Sequence, residues 1–167
     1  MISGVAVYGN VFERCGDGLF GAVQIHGGRD NLVDGNLFLS CHAGVSFTPW
    51  AAKRWLDAVG PFLAQAEAPP YRERYPDLAR LGEGTGANFC SRNVFSECAG
   101  AYLRDQGDNR RVLNAKTERA IEPSELSDDA AIRKDPVLSR TLIDPIPIGE
   151  IGPYEHPWRA APEREVN

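Results

Sequence analysis

The sequence lacks several features that would assign it to a common functional class. It has no run of 18 apolar residues, so no segment is long enough to cross a bilayer as a helix. Its first residues, Met1-Ile2-Ser3-Gly4, contain no basic region and no hydrophobic core, so no signal peptide is visible. The net charge of −5 at pH 7 argues against general binding to nucleic acids or anionic membranes. We therefore expect no nucleic-acid partner and no membrane partner.

Closely spaced cysteine pairs are also missing. The four cysteines contain no Cys-x2-Cys motif, which usually supplies converging zinc ligands, so we expect no metal site. Three of them, Cys15, Cys41 and Cys98, occupy one position of a repeat and should form an inward stack of small apolar thiols. A disulfide between neighbouring repeats stays open, because nothing in the sequence selects a pair.

What the sequence does contain is an internal repeat, in which Asn-x-Phe is followed three residues later by Cys. The lead residues Asn10, Asn36, Asn93 and Asn114 are 26, 57 and 21 residues apart, and another Asn precedes each of the last three by five residues. A fixed period with apolar residues in one phase indicates stacked supersecondary units, with an insertion in the longest interval. The leucine-rich repeat is the main alternative at this period, but the chain lacks its regular leucines.

Between the asparagines, short β-branched and aromatic runs alternate with Gly, Asn and Asp, as in segments 22–26 and 27–31. Such runs favour strands over helices. The pattern predicts an all-β fold, a parallel β-helix of about four coils, in which identical residues stack about 4.8 Å apart. Stacked Asn side chains should form hydrogen-bonded ladders at the corners.

The predicted coils cover residues 1–117 and are interrupted by an insertion over 49–86. Within the insertion, apolar spacing predicts a helix over 51–66 that Gly60-Pro61 should kink or end, then an extended segment over 69–76 and a short helix over 77–81. Residues 118–167 carry no repeat and should pack on the last coil as an irregular tail. This tail should contain a helix within 123–134, with Ser124 as N-cap, and a Pro-rich strap over 144–154.

The first coil begins in mid-repeat, which would expose unpaired strand edges and an apolar interior. Solenoids normally cover such an end. We expect it to be covered by a second copy in a homo-oligomer, or by the remainder of a longer chain.

A polar ladder runs along one set of stacked strands. Aligning Ala43-Gly44 with Ala99-Gly100 and applying the period-two rule places one set of residues inward, namely Val23, Ile25, Val45, Phe47, Ala101 and Leu103. The same alignment places a polar set outward, namely Gln24, His26, Ser46, Thr48, Tyr102 and Arg104. This outward ladder is the candidate site, and the alternative is a merely solvated sheet face.

The insertion leaves the coils directly after Thr48. It brings basic and aromatic residues to a chain that is otherwise acidic, namely Trp50, Lys53, Arg54, Tyr71, Arg72, Arg74 and Tyr75. Aromatic faces and guanidinium groups suit sugar rings and their carboxylates. Alternatively, Trp50, Trp55 and Phe62 only pack the insertion onto the coils.

The sequence also resembles a known group of proteins. Gly27-Gly28-Arg29-Asp30-Asn31, followed by Gly35-Asn36-Leu37-Phe38 and Cys41, is similar to the coil signature of secreted bacterial right-handed parallel β-helix repeat proteins of the pectate-lyase-like superfamily. The insertion, with Tyr71 and Tyr75-Pro76, and the ending over 148–154 resemble the C-terminal portion of that group. The resemblance implies a right-handed helix, secretion, and action on or binding of a polysaccharide through the outward face of the first sheet.

Two kinds of chemistry fit such a substrate. Uronan β-elimination needs a base and a cation that stabilises the enolate, whereas glycoside hydrolysis needs two carboxyls that flank the bond. We predict His26, Arg104 and Asp105 as catalytic residues. The predicted substrate-binding residues are Gln24, Thr48, Trp50, Lys53, Arg54, Tyr71, Arg72 and Tyr102. No cofactor is expected, apart from Ca²⁺ in the case of a lyase.

The alternative is a non-catalytic β-helix module for glycan binding or assembly. The sequence leaves both open.

Overall fold

The computed structural model describes residues 3–83, 87–105 and 109–150. Its strands coincide with the short β-branched and aromatic runs of the repeat. They are β1 (Ala6–Tyr8), β2 (Val11–Glu13), β3 (Val23–His26), β4 (Leu32–Asp34), β5 (Leu37–Leu39), β6 (Ala43–Thr48), β7 (Phe89–Ser91), β8 (Val94–Ser96), β9 (Gly100–Leu103), β10 (Arg110–Val112) and β11 (Ala115–Thr117). The helices are α1 (Ala52–Ala66), α2 (Pro69–Arg74), α3 (Asp129–Lys134) and α4 (Leu138–Thr141), with 3-10 helices at Pro76–Glu83, Pro123–Ser127 and Ile148–Glu150.

The strands form three sheets in which every pairing is parallel. The strand orders are β1-β4-β7-β10 in the first sheet, β2-β5-β8-β11 in the second and β3-β6-β9 in the third. Each repeat gives one strand to each sheet, except that the last repeat gives only β10 and β11 within the described residues. The prediction of mostly β structure with stacked parallel strands is confirmed, and the arrangement is compatible with a β-helix solenoid.

An asparagine ladder joins the corners between the first two sheets, as predicted. Asn10 Nδ2 donates to Asn36 Oδ1 at 3.1 Å, Asn36 Nδ2 to Asn93 Oδ1 at 3.0 Å, and Asn93 Nδ2 to Asn114 Oδ1 at 2.9 Å. The backbone N–H of each donor residue also bonds to the same oxygen. Every bond points in the same direction along the array. A second ladder joins Asn31, Asn88 and Asn109.

The residues before the lead asparagines turn these corners. They all have positive φ, although two of the four are not glycine: Gly9, Gly35, Arg92 and Leu113. Left-handed backbone costs a residue with a Cβ about 1 to 2 kcal/mol, so the buried ladder must hold this geometry in place.

The interior is lined by stacked aromatic rings and thiols. Phe12 and Phe38 stack at a centroid distance of 5.0 Å, and Phe38 and Phe95 stack at 4.9 Å. Cys41 and Cys98 are buried in the same cluster, Cys15 packs against it, and all four cysteines of the chain are free thiols. The predicted inward stack of thiols is confirmed.

The C-terminal segment covers the outer side of the second sheet. Its apolar side chains form one cluster with the outward residues of β5 and β8, namely Leu37, Leu39, Val94, Ile121, Leu126, Ile132, Leu138, Ile143 and Ile146. The segment therefore packs along several repeats. The described part of the predicted strap, residues 144–150, buries Ile146, while residues 151–154 lie outside the described residues.

Ser124 is not an N-cap, so that prediction is wrong. Glu122 precedes the 3-10 helix and forms a capping box with Glu125, because Pro123 fills the first helical position, where its missing N–H is not needed. A separate cap, Asp128, starts α3.

The insertion differs from its prediction in two places. Helix α1 continues through Pro61, since the preceding Gly60 has no Cβ to clash with the proline ring. The segment predicted to be extended contains α2, whose first turn accepts Pro69 and Pro70 readily. Trp55 and Val59 are buried and hold α1 in place, whereas Phe62 is exposed.

Candidate functional site

The outer face of the third sheet carries a row of hydrogen-bonded polar side chains. Gln24 lies beside Ser46, and His26 lies beside Thr48, in the register of β3 and β6. Gln24 Nε2 donates to Thr48 Oγ1 at 2.8 Å. Ser46 Oγ donates to Gln24 Oε1 and accepts from the Gly21 N–H at 2.8 Å. These bonds fix the side chains that form the floor of the candidate site.

The next strand of this sheet is shifted by one residue from the predicted alignment. Ala43 pairs with Gly100, and Val45 pairs with Tyr102. Both pairs are separated by 57 residues, the same spacing as that between Asn36 and Asn93. The local Ala-Gly match gave a spacing of 56, so the signal that would have set the register was the asparagine ladder.

Tyr102 consequently points inward, and its predicted place on the outward ladder is wrong. Its ring lies 6.4 Å from Phe47 and 5.4 Å from Phe95 between centroids. Burial raises the pKa of the Tyr102 hydroxyl. Leu103 moves to the outward phase beside Ser46.

Arg104 reaches the outer face through its backbone conformation. In the observed register it would share the inward phase of Tyr102, but its φ of 54° turns the chain at the end of β9. Arg104 Nε donates to the Phe47 carbonyl at 3.1 Å, and Nη2 donates to Gln24 Oε1 at 3.3 Å. The guanidinium is therefore held above the floor while the side chain remains exposed.

One wall beside Arg104 was not identified from the sequence. The Phe20 ring lies 5.3 Å from the Arg104 guanidinium, at the tip of a loop that begins at Asp17. Asp17 Oδ1 accepts from the N–H groups of Leu19 and Phe20 at 2.7 and 2.8 Å, which lowers the pKa of the Asp17 carboxyl. The available signal was an Asp-Gly turn followed by two apolar residues that the core does not use.

A second wall is formed by three predicted residues that the structure brings together. His26 meets Trp50 edge to face at 5.6 Å, and the Arg54 guanidinium lies 4.0 Å above the Trp50 ring. The ring also lies against Gly27, where an added Cβ would come within 2.7 Å of it. Trp50 is thus half-buried between protein groups, so a sugar ring could stack on it only after Arg54 moves away.

Asp105 faces away from the ladder. Its carboxylate pairs with Arg111 at 3.0 Å and accepts from Asn109 Nδ2 at 3.0 Å. The carboxylate of Asp30, which precedes β4, pairs with Arg29 at 2.8 Å.

The remaining predicted residues do not reach the floor. Lys53 is exposed and pairs with Asp57 at 2.6 Å along α1. Tyr71 and Arg72 lie on α2, beyond the far end of α1, which is about 18 Å from Arg54 at 1.5 Å per helical residue. Tyr71 instead lines a separate shallow groove with Phe62.

Within the described ranges, no group of three or more His, Cys, Asp or Glu side chains is placed to hold a metal ion. None of the helices described is both long and apolar enough to span a membrane. Comparison of the chain with protein-family models, with curated proteins and with solved structures gives no match in any of the three.

Proposed function

We propose that this chain is a right-handed parallel β-helix module of the pectate-lyase-like type that binds an acidic polysaccharide. The proposed binding face is the outer face of the third sheet, not of the first, because the third sheet carries the polar ladder. The three stacked parallel sheets support the architecture. Supporting the ligand class, Arg104 contacts Gln24 of the neutral polar floor, and Arg54 lies over Trp50, which contacts His26 beside that floor. A chain of sugars with carboxylates would therefore find both hydroxyl partners and cations.

The position of Arg104 is the observation that carries the proposal. Its guanidinium is oriented by Phe47 and Gln24, so little side-chain freedom is lost when its remaining N–H groups bind a carboxylate. Phe20 beside it offers an apolar surface to the less polar face of a sugar.

Binding is favoured over hydrolysis by the arrangement of carboxylates. Glycoside hydrolysis requires two carboxyls at the scissile bond. Asp105, the carboxylate predicted as catalytic, is engaged in an ion pair with Arg111, and the nearby carboxylate of Asp30 is paired with Arg29.

A direct test is titration of the protein with a uronate oligosaccharide and with a neutral oligosaccharide of equal length, followed by calorimetry. We expect preference for the uronate, weakening with added salt because the contact is ionic. Arg104→Ala should weaken binding roughly 10- to 100-fold, the range for a hydrogen bond to a charged group. Arg110→Ala is the matched control, because Arg110 also lies over a phenyl ring, that of Phe89 at 5.6 Å, but on the first sheet. Equal losses in both variants, or equal affinity for the two sugars, would refute the proposal.

A lyase is the second candidate, because the exposed imidazole of His26 shares this face with Arg104. His26 would remove the C5 proton, and Arg104 would stabilise the resulting enolate. The C4–O bond then breaks, and the leaving oxygen takes a proton from the imidazolium of His26. In that case the uronate incubation yields new unsaturated chain ends, and His26→Ala abolishes them without changing affinity. Absence of new ends with intact binding assigns the module to binding alone.

A further inference from the structure

The repeats do not end alike at the two ends of the array. Strand register aligns the inward residues of the first sheet in one column, Val7, Val33, Cys90 and Arg111. It aligns those of the second sheet in another column, Phe12, Phe38, Phe95 and Lys116. Both columns are apolar for three repeats and change to a cation in the fourth.

Arg111 closes the first column. Its guanidinium lies 5.1 Å from the Tyr102 ring centroid and pairs with Asp105 at 3.0 Å. Cys90 is fully buried beside it in register. The side chain is thus folded over the interior, and about half of it (48%) is exposed to solvent.

Lys116 closes the second column. It lies opposite Phe95, the last ring of the aromatic stack, and pairs with Glu118 at 3.3 Å. The charge of Lys116 also acts on the buried Cys98, because it opposes the rise in the pKa of Cys98 that burial causes. Two cations therefore cover the interior where a fifth repeat would otherwise pack.

The opposite end has no such cover among the described residues. Val7 and Phe12 occupy the inward positions there, and a cavity of about 200 Å³ opens between β1 and β3, lined by Val5, Val7, Val23, Ile25 and Val33. If a second copy approached the last repeat in the same orientation, its Asn10 Oδ1 would face the Asn114 N–H and extend the ladder. Backbone and asparagine groups thus favour end-to-end growth, and the two inward cations oppose it.

We propose that Arg111 and Lys116 form a built-in cap that prevents a second copy of this chain from stacking on the last repeat. Stacking would press both cations against Val7 and Phe12 of the incoming copy and strip them of water, and neither of these two residues supplies an anion. A charge pointing inward at a strand edge is a known means of blocking edge-to-edge association.

The test replaces the cation by the residue that continues its column. Lys116→Phe extends the aromatic stack, so its light-scattering mass should rise with concentration beyond two chains, while the unaltered protein stays at one or two chains of 18.3 kDa. In dilute solution the same variant should melt higher, by about 2 to 4 °C, because a fourth stacked ring adds stability. Higher stability combined with association is the signature of a residue retained for solubility.

Three further variants show whether the association uses these ends. Lys116→Glu keeps a charge at the position and should behave like the unaltered protein. Arg110→Phe adds a phenyl ring on the outward side of the same repeat and should not associate. Ala6→Pro, made in the Lys116→Phe background, should restore low mass. The Ala6 N–H points to the free edge of β1, since neighbouring Val5 bonds to Leu32 on the other side.

The proposal is overturned if Lys116→Phe keeps the mass of the unaltered protein at every concentration. It is equally overturned if the unaltered protein grows without limit, or if Ala6→Pro leaves the growth unchanged.

Discussion

At the scale of single residues, the buried asparagines hold the corners of the array. Asn93 is fully buried, and its side-chain amide makes four hydrogen bonds, to Asn36 twice, to Val33 and to Asn114. Few side chains satisfy both donors and both acceptor sites so completely. A substitution here therefore leaves several buried partners without bonds.

Asn93→Ala should lower the free energy of unfolding by roughly 3 kcal/mol or more, because each buried group left unpaired costs about 1 to 3 kcal/mol. Asn10→Ala removes a ladder residue that is exposed at the end of the array and should cost about 1 kcal/mol. Urea denaturation of both variants measures the difference. Equal losses would mean that ladder bonds contribute independently of burial.

At the scale of elements, the repeating strands could be predicted from the sequence, but the places where a strand deviates from the repeat could not. The asparagine spacing correctly predicts which strands stack, because one hydrogen-bond geometry recurs in every repeat. The predicted register of β9 is wrong by one residue, because it relies on the local match between two Ala-Gly pairs. The asparagine ladder instead imposes a spacing of 57 residues, which is the spacing that the structure has. The outward turn of Arg104 depends on a single positive φ that the residue type does not suggest.

Only some of the apolar residues of helix α1 hold it on the array. Trp55 is 1% exposed, whereas Phe62, about two helical turns away in the same pattern, is 58% exposed. Trp55→Ala should therefore cost about 3 to 5 kcal/mol and release the insertion to limited proteolysis, while Phe62→Ala should change stability by less than about 1 kcal/mol. A protease-resistant insertion in Trp55→Ala would show that other contacts fix it.

The C-terminal strap is joined to the sheets by a charge network with a defined pH dependence. Arg92 pairs with Asp34 and, at 2.9 Å, with Asp144. Hydrogen bonds from Arg92 and Ser91 lower the pKa of the Asp34 carboxyl below its ordinary 3.8. The corresponding stability is present above that value and is lost as the pH falls through the lowered pKa.

Asp34→Asn should thus be less stable than the unaltered protein at pH 7, and the two should converge at about pH 2. Unfolding free energies measured across this range check the prediction. Asp129→Asn, which breaks an exposed pair with Arg133 in α3, is the control and should have little effect at any pH. A constant gap between Asp34→Asn and the unaltered protein would assign the effect to packing.

At the scale of the whole molecule, the four thiols lie in the first three repeats and report on the opening of those repeats. Burial raises the pKa of Cys90 to about 12 and that of Cys98 to about 11, so both stay protonated and unreactive in the folded state. In the unfolded chain these thiols ionise near their ordinary pKa of 9.0. The contribution of the two protonated thiols to folding stability is therefore present below pH 9.0 and is lost as the pH rises through their raised pKa values.

Alkylation at pH 8, followed by mass spectrometry, should label Cys15 first, since it lies half-buried in the terminal repeat. Cys41, Cys90 and Cys98 should react only on opening of the inner repeats, at rates slower by orders of magnitude. Simultaneous labelling of all four would mean that the array opens as a single unit.

The parts of the architecture that repeat, the stacked strands and the asparagine ladders, could be predicted from the sequence. The tail was not, because its position depends on the outward residues Leu37 and Val94, whose partners lie far away in the sequence. The site was predicted in part: the floor follows from strand alternation, while the wall at Phe20 and the inward turn of Tyr102 arise from tertiary contacts.

The insertion has a consequence for engineering. The repeats before and after the insertion over 49–86 stack with the same spacing in all three sheets. A few side chains hold the inserted segment on the array, among them Arg29, which donates to the Arg80 carbonyl at 3.0 Å. The pairing of the strands therefore does not depend on the length of the segment inserted between β6 and β7. At this connection, therefore, a foreign loop could replace the native segment and bring new side chains beside the polar floor of the same scaffold.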